Sequence, residues 1–212
     1  MIPVLKDFDF KSVNKIAVMG GAFDPIHFGH LVTGETVSDK FDVEKVIYMP
    51  LGDAPHKKMK GADALDRYMM AKTATDDNDA FEISALEINR GGKTYTVDTI
   101  AEIKEINPDI KIYFIMGADE ILAIESWRES ERLLKMCSFI AVTRPGFTEE
   151  DVKEQTDMLK AKYGCDIYFT EVPALDISSS DLRRRVGNGE SIKYLVPKEV
   201  EKYISEHNLY KE

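Results

Sequence analysis

The fold of this chain is indicated most clearly by one stretch, Gly20-Gly21-Ala22-Phe23-Asp24-Pro25-Ile26-His27-Phe28-Gly29-His30. It follows Ile16-Ala17-Val18-Met19, an apolar run typical of a buried strand, and it leads into a helical pattern. A strand, a glycine loop and a helix in this order present backbone N–H groups and a helix N-terminus to an anion. His27 and His30 are three residues apart, so both can lie on the ligand-facing side of that helix. The stretch therefore predicts a site for a phosphate-bearing ligand.

Other glycine-loop and histidine motifs fit this stretch less well. A Rossmann dinucleotide fingerprint needs G-x-G-x-x-G and a Walker loop needs G-x-x-x-x-G-K-[ST], and the stretch contains neither. Two histidines could ligate a metal, but zinc sites use about three or four protein ligands. The other histidines are His56 and His207, and the cysteines, Cys137 and Cys165, lack C-x-x-C spacing. A metal site or a purely structural role for the histidines remains the weaker alternative.

Short strand-like runs alternate with helical patterns along most of the chain. The predicted strands cover 15–19, 45–49, 81–83, 111–116, 138–142 and 166–170, and the predicted helices cover 28–40, 64–75, 97–106, 118–125, 131–136 and 149–163. Thr96 is the expected N-cap of the helix 97–106. Such alternation predicts a doubly wound α/β fold with a mostly parallel sheet that is covered on both faces.

The pattern changes after Pro173, where only helical signals follow. They include a helix over 191–195 and a last helix that begins with Pro197 in its first position and runs to about His207. No linker is long enough to separate domains. We expect one domain over 1–212, with a small helical C-terminal portion from about 176 to 212.

Composition excludes several function classes. The chain has 212 residues, 43% of them hydrophobic and 31% charged, which is typical of an ordinary globular protein. A net charge of −10 argues against a dedicated nucleic-acid binder. No apolar stretch is long enough for a membrane span, and the charged first fifteen residues do not resemble a signal peptide. Two scattered cysteines favour reduced thiols and a cytoplasmic location.

The predicted site lies at one edge of the sheet. Ligands of open α/β sheets bind outside the carboxyl ends of the strands, so we expect the glycine loop to meet the segments 50–60, 117–119 and 177–183 there. In the last segment, serines precede Leu182 and favour a helix N-terminus, which also attracts anions. Arg183 falls on the first turn of that helix, where it can reach a bound phosphate.

Two motifs resemble signatures of the nucleotidylyltransferase superfamily. His27-Phe28-Gly29-His30 is similar to H-x-G-H, and Ile177-Ser178-Ser179-Ser180-Asp181-Leu182-Arg183 is similar to I-S-S-T-x-I-R. Within the superfamily the chain most resembles nicotinate-nucleotide adenylyltransferases over nearly its whole length. The matching segments are Ala54-Pro55-His56-Lys57, Arg67 with Met70, the run 92–99, Gly117-Ala118-Asp119, Trp127, Arg144-Pro145-Gly146 and Asn208-Leu209-Tyr210. Ala22 and Ala54 depart from the family pattern, where Ser or Thr and Pro are usual.

The resemblance implies adenylyl transfer from ATP to nicotinate mononucleotide, which gives nicotinate adenine dinucleotide and pyrophosphate. Its implied catalytic residues are His27, His30, Lys57 and Arg183. ATP would be bound by Gly20, Gly21, Ala22, Phe23, His27, His30, Gly117, Asp119, Ile177, Ser178, Ser179, Ser180 and Arg183. The mononucleotide would be bound by Asp24, Lys57, Thr94, Tyr95, Thr96, Trp127, Arg128 and Arg144.

In the resembled family the tryptophan stacks on the pyridine ring, and backbone N–H groups at Thr96 and Arg128 would receive the nicotinate carboxylate. Mg²⁺ would bridge phosphate oxygens with few or no protein ligands. The expected partners are ATP and nicotinate mononucleotide, with no nucleic acid and no membrane, and the chain could form a homodimer. Two alternatives stay open. One is a transferase for nicotinamide mononucleotide, phosphopantetheine or a cytidine nucleotide, and the other is a nucleotide-sensing module without turnover.

Overall fold

The protein contains one six-stranded parallel sheet. The computed structural model describes residues 4–52, 61–143 and 149–211. The strands are β1 (Lys15–Gly21), β2 (Lys45–Pro50), β3 (Phe81–Ile83), β4 (Lys111–Gly117), β5 (Ser138–Thr143) and β6 (Ile167–Glu171). They are arranged in the order β3-β2-β1-β4-β5-β6, and all neighbours are parallel.

In the described residues, eight α-helices accompany the strands. They are α1 (Phe28–Phe41), α2 (Ala64–Thr75), α3 (Leu86–Arg90), α4 (Thr96–Ile106), α5 (Ser130–Met136), α6 (Glu149–Tyr163), α7 (Ser179–Gly187) and α8 (Lys198–Glu206). Two 3₁₀ segments, Phe10–Ser12 and Ala118–Ser126, complete the regular structure of the described residues. The predicted doubly wound α/β fold with a helical C-terminal portion is confirmed.

Alternate residues of the central strands supply two hydrophobic cores, one on each face of the sheet. Ile16 and Val18 of β1 face a core shared with α4, α5 and α6, whereas Ala17 and Met19 face a core shared with α1, α2, α7 and α8. Both faces are therefore buried, which is why the strands are near-continuous apolar runs. No helix of the described residues is long and apolar enough to cross a membrane.

The strand order reverses between β1 and β4, and this reversal positions the site. β1 pairs with β2 on one side and with β4 on the other. From β1 the chain adds β2 and β3 towards one edge of the sheet, and it then returns to add β4, β5 and β6 towards the other edge. The connections after β1 and β4 diverge to opposite faces, so a crevice opens at the carboxyl ends of these two strands. Gly21 and Gly117 are the last residues of the two strands.

Several predicted elements differ from the observed ones. Residues 118–126 form 3₁₀ turns instead of the predicted α-helix, and the Glu120 carboxylate accepts a hydrogen bond from the Gly117 N–H at 2.9 Å at their start. The predicted helix 191–195 is a turn, in which Tyr194 has a left-handed φ of 66° that no helix accommodates.

Several helix boundaries differ by one residue from the predicted ones, including the starts of α4 and α8. Tyr95, not Thr96, is the N-cap of α4, and Pro197 is the N-cap of α8 instead of its first residue. The short helix α3 was not predicted, since its five residues are too few to show a helical period.

Candidate active site

The two motif histidines form a stacked pair at the start of α1. His27 is the N-cap, and its backbone N–H donates to Nδ1 of His30 at 3.2 Å. The two rings lie 3.7 Å apart between centroids, with an interplanar angle of 29°. His27 is only 7% exposed. The i, i+3 spacing therefore does bring both imidazoles to one side of the helix.

The glycine loop, residues 20–27, comprises the last two residues of β1 and the connection to α1, and its backbone is strained at Phe23. Phe23 has a left-handed φ of 48°, and its ring is buried between Tyr48 and the edge of His30, 5.1 Å from the latter between centroids. The ring forms the floor of this glycine loop. Phe23 can therefore contribute backbone groups to a ligand, while its side chain supports His30 from below.

A buried arginine joins the glycine loop to the end of β2. Arg67 of α2 is 1% exposed and donates to the carbonyl oxygens of Ala22 at 2.8 Å, Leu51 at 2.7 Å and Gly52 at 3.1 Å. Three charge-assisted hydrogen bonds to backbone carbonyls hold the two loops together. Arg67 matches the family pattern, but the sequence did not indicate this role.

Asp24 belongs to the glycine loop, and its side chain is buried inside the protein. It is 4% exposed, and its Oδ1 accepts hydrogen bonds from the Ala62 N–H at 2.9 Å and the Tyr210 hydroxyl at 2.8 Å. Its Oδ2 is 3.5 Å from Nη1 of Arg183, which also donates to the Asp24 carbonyl oxygen at 2.6 Å. Asp24 is predicted to bind the mononucleotide, and in the structure its carboxylate has these protein partners.

A cleft of about 700 Å³ opens at the β1–β4 crevice. Its lining comes from the end of β1, the first turn of α1, the end of β4 and the segment 172–179. Seven of the predicted ATP-binding residues line it: Gly20, His27, His30, Gly117, Ile177, Ser178 and Ser179. Gly21, Ala22, Phe23, Asp119, Ser180 and Arg183 are not among the lining residues. Glu120 also lines the cleft and was not predicted.

The N-terminus of α7 faces the glycine loop. Ser178 is its N-cap and accepts a hydrogen bond from the Asp181 N–H at 3.2 Å, while the Ser179 hydroxyl donates to the Pro25 carbonyl at 2.9 Å. Arg183 donates to the Ser180 hydroxyl at 3.3 Å. The second motif is thus attached to the first through both Ser179 and Arg183, and its helix N-terminus adds a positive dipole end beside the cleft.

Apart from Asp24, the predicted mononucleotide residues of the described chain lie on the other face of the sheet, where Tyr95 and Trp127 pack against the core shared with α4, α5 and α6. The Arg128 guanidinium lies 4.5 Å from the centre of the Tyr95 ring, and Trp127 is half-buried, edge-on to Phe114 at 6.2 Å between centroids. A Cβ placed on Gly20 would lie 3.6 Å from the same Phe114 ring. Phe114 therefore connects Trp127 to the glycine loop. Lys57 and Arg144 lie outside the described residues.

A buried carboxyl group, that of Glu87, contacts α4 close to Tyr95 and Thr96. Glu87 of α3 is 4% exposed, and its Oε1 accepts a hydrogen bond from the Thr99 hydroxyl at 2.7 Å. Burial raises the pKa of Glu87 to about 7, against the opposing effects of the Thr99 hydrogen bond and of Arg90. Thr94 is also buried, with 3% exposure. The sequence analysis did not predict that Glu87 is buried. The available signal was its position between two apolar residues, in Leu86-Glu87-Ile88.

No metal-binding cluster is present in the part of the chain that the structure describes. In the ranges 4–52, 61–143 and 149–211, no group of three or more His, Cys, Asp or Glu side chains could hold a metal ion. Cys137 and Cys165 are free thiols far from the cleft-lining segments.

Comparison with known proteins gives consistent results. The cytidylyltransferase-like family model matches residues 18–185. A relative from Thermoanaerobacter sp. (strain X514), named "probable nicotinate-nucleotide adenylyltransferase", is 49% identical over 199 residues, which is 93% of this chain and 94% of the relative. A relative of the same name from Moorella thermoacetica is 48% identical and covers 93% and 92% of the two chains.

The fold is also found among solved structures. Nicotinic acid mononucleotide adenylyltransferase of Plasmodium falciparum, complexed with NaAD, superposes with a TM-score of 0.77 at 24% identity and covers 93% of this chain and 97% of that one. At this level of identity the similarity shows a shared fold.

Proposed function

This chain belongs to the cytidylyltransferase-like family and, within it, to the nicotinate-nucleotide adenylyltransferases, and from that premise we propose the reaction that it catalyses. The enzyme is a nucleotidyltransferase of NAD biosynthesis that joins ATP to nicotinate mononucleotide. Its products are nicotinate adenine dinucleotide and pyrophosphate. The observation that carries this proposal is the stacked His27–His30 pair, which lines a cleft of about 700 Å³ at the β1–β4 crevice.

The chemistry is an in-line displacement at the α-phosphorus of ATP. A phosphate oxygen of the mononucleotide forms the new P–O bond, and the bond to the β-phosphate oxygen breaks as pyrophosphate leaves. A phosphate oxygen is already nucleophilic at neutral pH, so neither a general base nor a covalent intermediate is needed. Catalysis then depends on positioning and on stabilising the charge that develops on the triphosphate.

The residues of the cleft supply donors for that charge. In the cleft, His27 and His30 donate to phosphate oxygens. Beside it, the backbone of residues 20–23 and the N-terminus of α7 provide N–H groups, and Arg183 adds positive charge. The family resemblance assigns the same role to Lys57. Gly117 and Asp119 hold the adenosine at the end of β4. The phosphates thus lie between the two motifs, which the Arg183–Asp24 and Ser179–Pro25 hydrogen bonds hold together.

The mononucleotide occupies the region around Trp127. The indole stacks on the pyridine ring, and the backbone N–H groups of Thr96 and Arg128 receive the nicotinate carboxylate. Thr94 and Tyr95 contribute to this part of the site, and the family resemblance also assigns Arg144 to the mononucleotide. Mg²⁺ would enter with ATP and would neutralise part of the negative charge of the triphosphate, with few or no protein ligands.

A pyrophosphate-release assay tests this proposal. Purified protein is incubated with Mg²⁺ and ATP together with nicotinate mononucleotide, nicotinamide mononucleotide, phosphopantetheine or a cytidine nucleotide, and the dinucleotide product is identified by mass. Rapid release with nicotinate mononucleotide supports the proposal. Release with another acceptor alone would identify a different transferase, and ATP binding without any release would identify a nucleotide-sensing module.

A further inference from the structure

Tyr210 lies in the segment that follows α8, and it contacts the glycine loop near the other end of the sequence. Its hydroxyl donates to Oδ1 of Asp24 at 2.8 Å, although the two residues are 186 positions apart. Burial and the neighbouring Asp24 carboxylate raise the pKa of Tyr210, so the hydroxyl stays protonated and remains a donor. Tyr210 packs with Leu209 against the hydrophobic core shared by α1, α2, α7 and α8.

The acceptor of this hydrogen bond, the Asp24 carboxylate, lies between the glycine loop and Arg183 of the second motif. Oδ1 of Asp24 also accepts from the Ala62 N–H, and Oδ2 is 3.5 Å from the Arg183 guanidinium. Asp24 therefore receives donors from three separate segments of the chain. One of these donors, Arg183, is the side chain that the proposed reaction assigns to the triphosphate.

We propose that Tyr210 is a positioning residue for adenylyl transfer, which acts by fixing the Asp24 carboxylate between the glycine loop and Arg183. This inference rests on the proposed function. Asp24 is 4% exposed and so does not contact bulk water, and Tyr210 acts through it on groups that would touch the phosphates.

The geometry explains why the hydroxyl matters beyond stability. Without it, the Ala62 N–H is the remaining hydrogen-bond donor to Oδ1 among the residues that the structure describes, and the attraction of Arg183 for the carboxylate is less opposed. The carboxylate then rotates towards Arg183, and the Arg183 guanidinium and the backbone at Asp24 shift with it. A displacement of catalytic groups by about 1 Å can lower a rate by up to about a hundredfold.

The test compares Tyr210→Phe with Tyr203→Phe. The Tyr203 hydroxyl donates to Oδ1 of Asp66 at 2.9 Å, and its ring packs against the same hydrophobic core, so both variants lose one tyrosine–carboxylate hydrogen bond. Asp66 lies in the first turn of α2, outside the cleft lining. Steady-state pyrophosphate release, thermal midpoints and ATP binding by calorimetry are measured for both variants and the wild type.

Tyr210→Phe is expected to lower kcat/KM for ATP about tenfold while KM for the mononucleotide stays at the wild-type value. Tyr203→Phe is expected to match the wild-type kinetics, although the thermal midpoints of the two variants fall by similar amounts. In an Asp24→Asn background, Tyr210→Phe should produce little further loss, because the hydroxyl acts through that carboxylate. The inference is wrong if both tyrosine variants lose activity equally, or if Tyr210→Phe keeps wild-type kinetics.

The proposed function can fail separately. If the wild type releases no pyrophosphate with any acceptor, that function is refuted, and ATP binding then decides the inference: Tyr210→Phe should bind ATP more weakly than the wild type and Tyr203→Phe. Equal affinity in all three proteins, or no ATP binding in any of them, would overturn the positioning role as well.

Discussion

Replacement of Glu87 by Gln should change how the stability of this protein depends on pH. The Glu87 carboxyl group is 4% exposed, and its pKa is raised by burial from 4.5 to about 7. The titratable groups around it are Arg90 on α3 and Glu102 on α4, which form an ion pair with each other at 2.9 Å. Glu87 therefore folds as a neutral acid at low pH and must ionise inside the protein at high pH.

The sign of the effect follows from the direction of this pKa change. Between pH 4.5 and about pH 7 the folded state binds the proton that the unfolded state has released, so the free energy of unfolding falls as the pH rises. At about 1.36 kcal/mol for each unit of pKa, the loss amounts to roughly 3 kcal/mol. Glu87→Gln removes the titration, because an amide does not ionise.

Urea unfolding of the wild type and the variant at about pH 5 and about pH 8 measures this difference. Relative to Glu87→Gln, the wild type should lose roughly 3 kcal/mol of unfolding free energy between the two conditions. Glu131→Gln is the matched control at an exposed position, where Lys135 lowers the pKa of the carboxyl group. There both states are ionised throughout the range, so the difference from the wild type should stay constant. An equally constant difference for Glu87→Gln would refute the reasoning.

Three further predictions concern the cleft and the fold. His30→Ala should lower kcat in the pyrophosphate-release assay roughly a hundredfold, which is the rate loss expected when one positioned hydrogen-bond donor is removed. His207→Ala is the control, because His207 is exposed and lies outside the cleft lining. Wild-type turnover of His30→Ala would contradict the assigned chemistry. Trp127→Ala should raise KM for the acid and the amide mononucleotide alike while the wild-type preference for the acid persists, since stacking does not distinguish the two substituents, and unequal KM changes would place the indole elsewhere. Gly34→Ala should lower the free energy of unfolding by about 1–3 kcal/mol in urea, because a Cβ there would collide with the buried Tyr48 hydroxyl, and an unchanged midpoint would contradict that packing.

Local pattern was sufficient for the sheet and most of its helices. The strands are mostly apolar runs of three to seven residues between helical patterns, and an all-parallel sheet that is buried on both faces leaves this signal intact. Residues 191–195 misled because Ile192 and Leu195 have helical spacing. The turn that they form depends on Tyr194 and on a bridge between Lys193 and Val196, which the apolar period does not reveal.

Sequence motifs predicted several residues that line the cleft, but not the hydrogen bonds that the surrounding residues make with each other. His27 and His30 follow from a motif whose order and spacing are local. Arg67 and Asp24 meet partners from other parts of the chain, and a polar residue becomes buried only when tertiary structure supplies those partners. The positions of such residues can be read from sequence, but their hydrogen bonds cannot.

The contact between Asp24 and Tyr210 also has a consequence for how the protein folds. A pair of residues 186 positions apart meets only after the intervening strands and helices have docked, because closing so long a loop carries a large entropic cost. In partly folded species in which only β1, β2 and β3 have assembled, the glycine loop would therefore lack its contact with Tyr210 and would not have its final geometry. ATP would then stabilise the fully assembled chain in preference to its folding intermediates, and nucleotide affinity during refolding would report when assembly is complete.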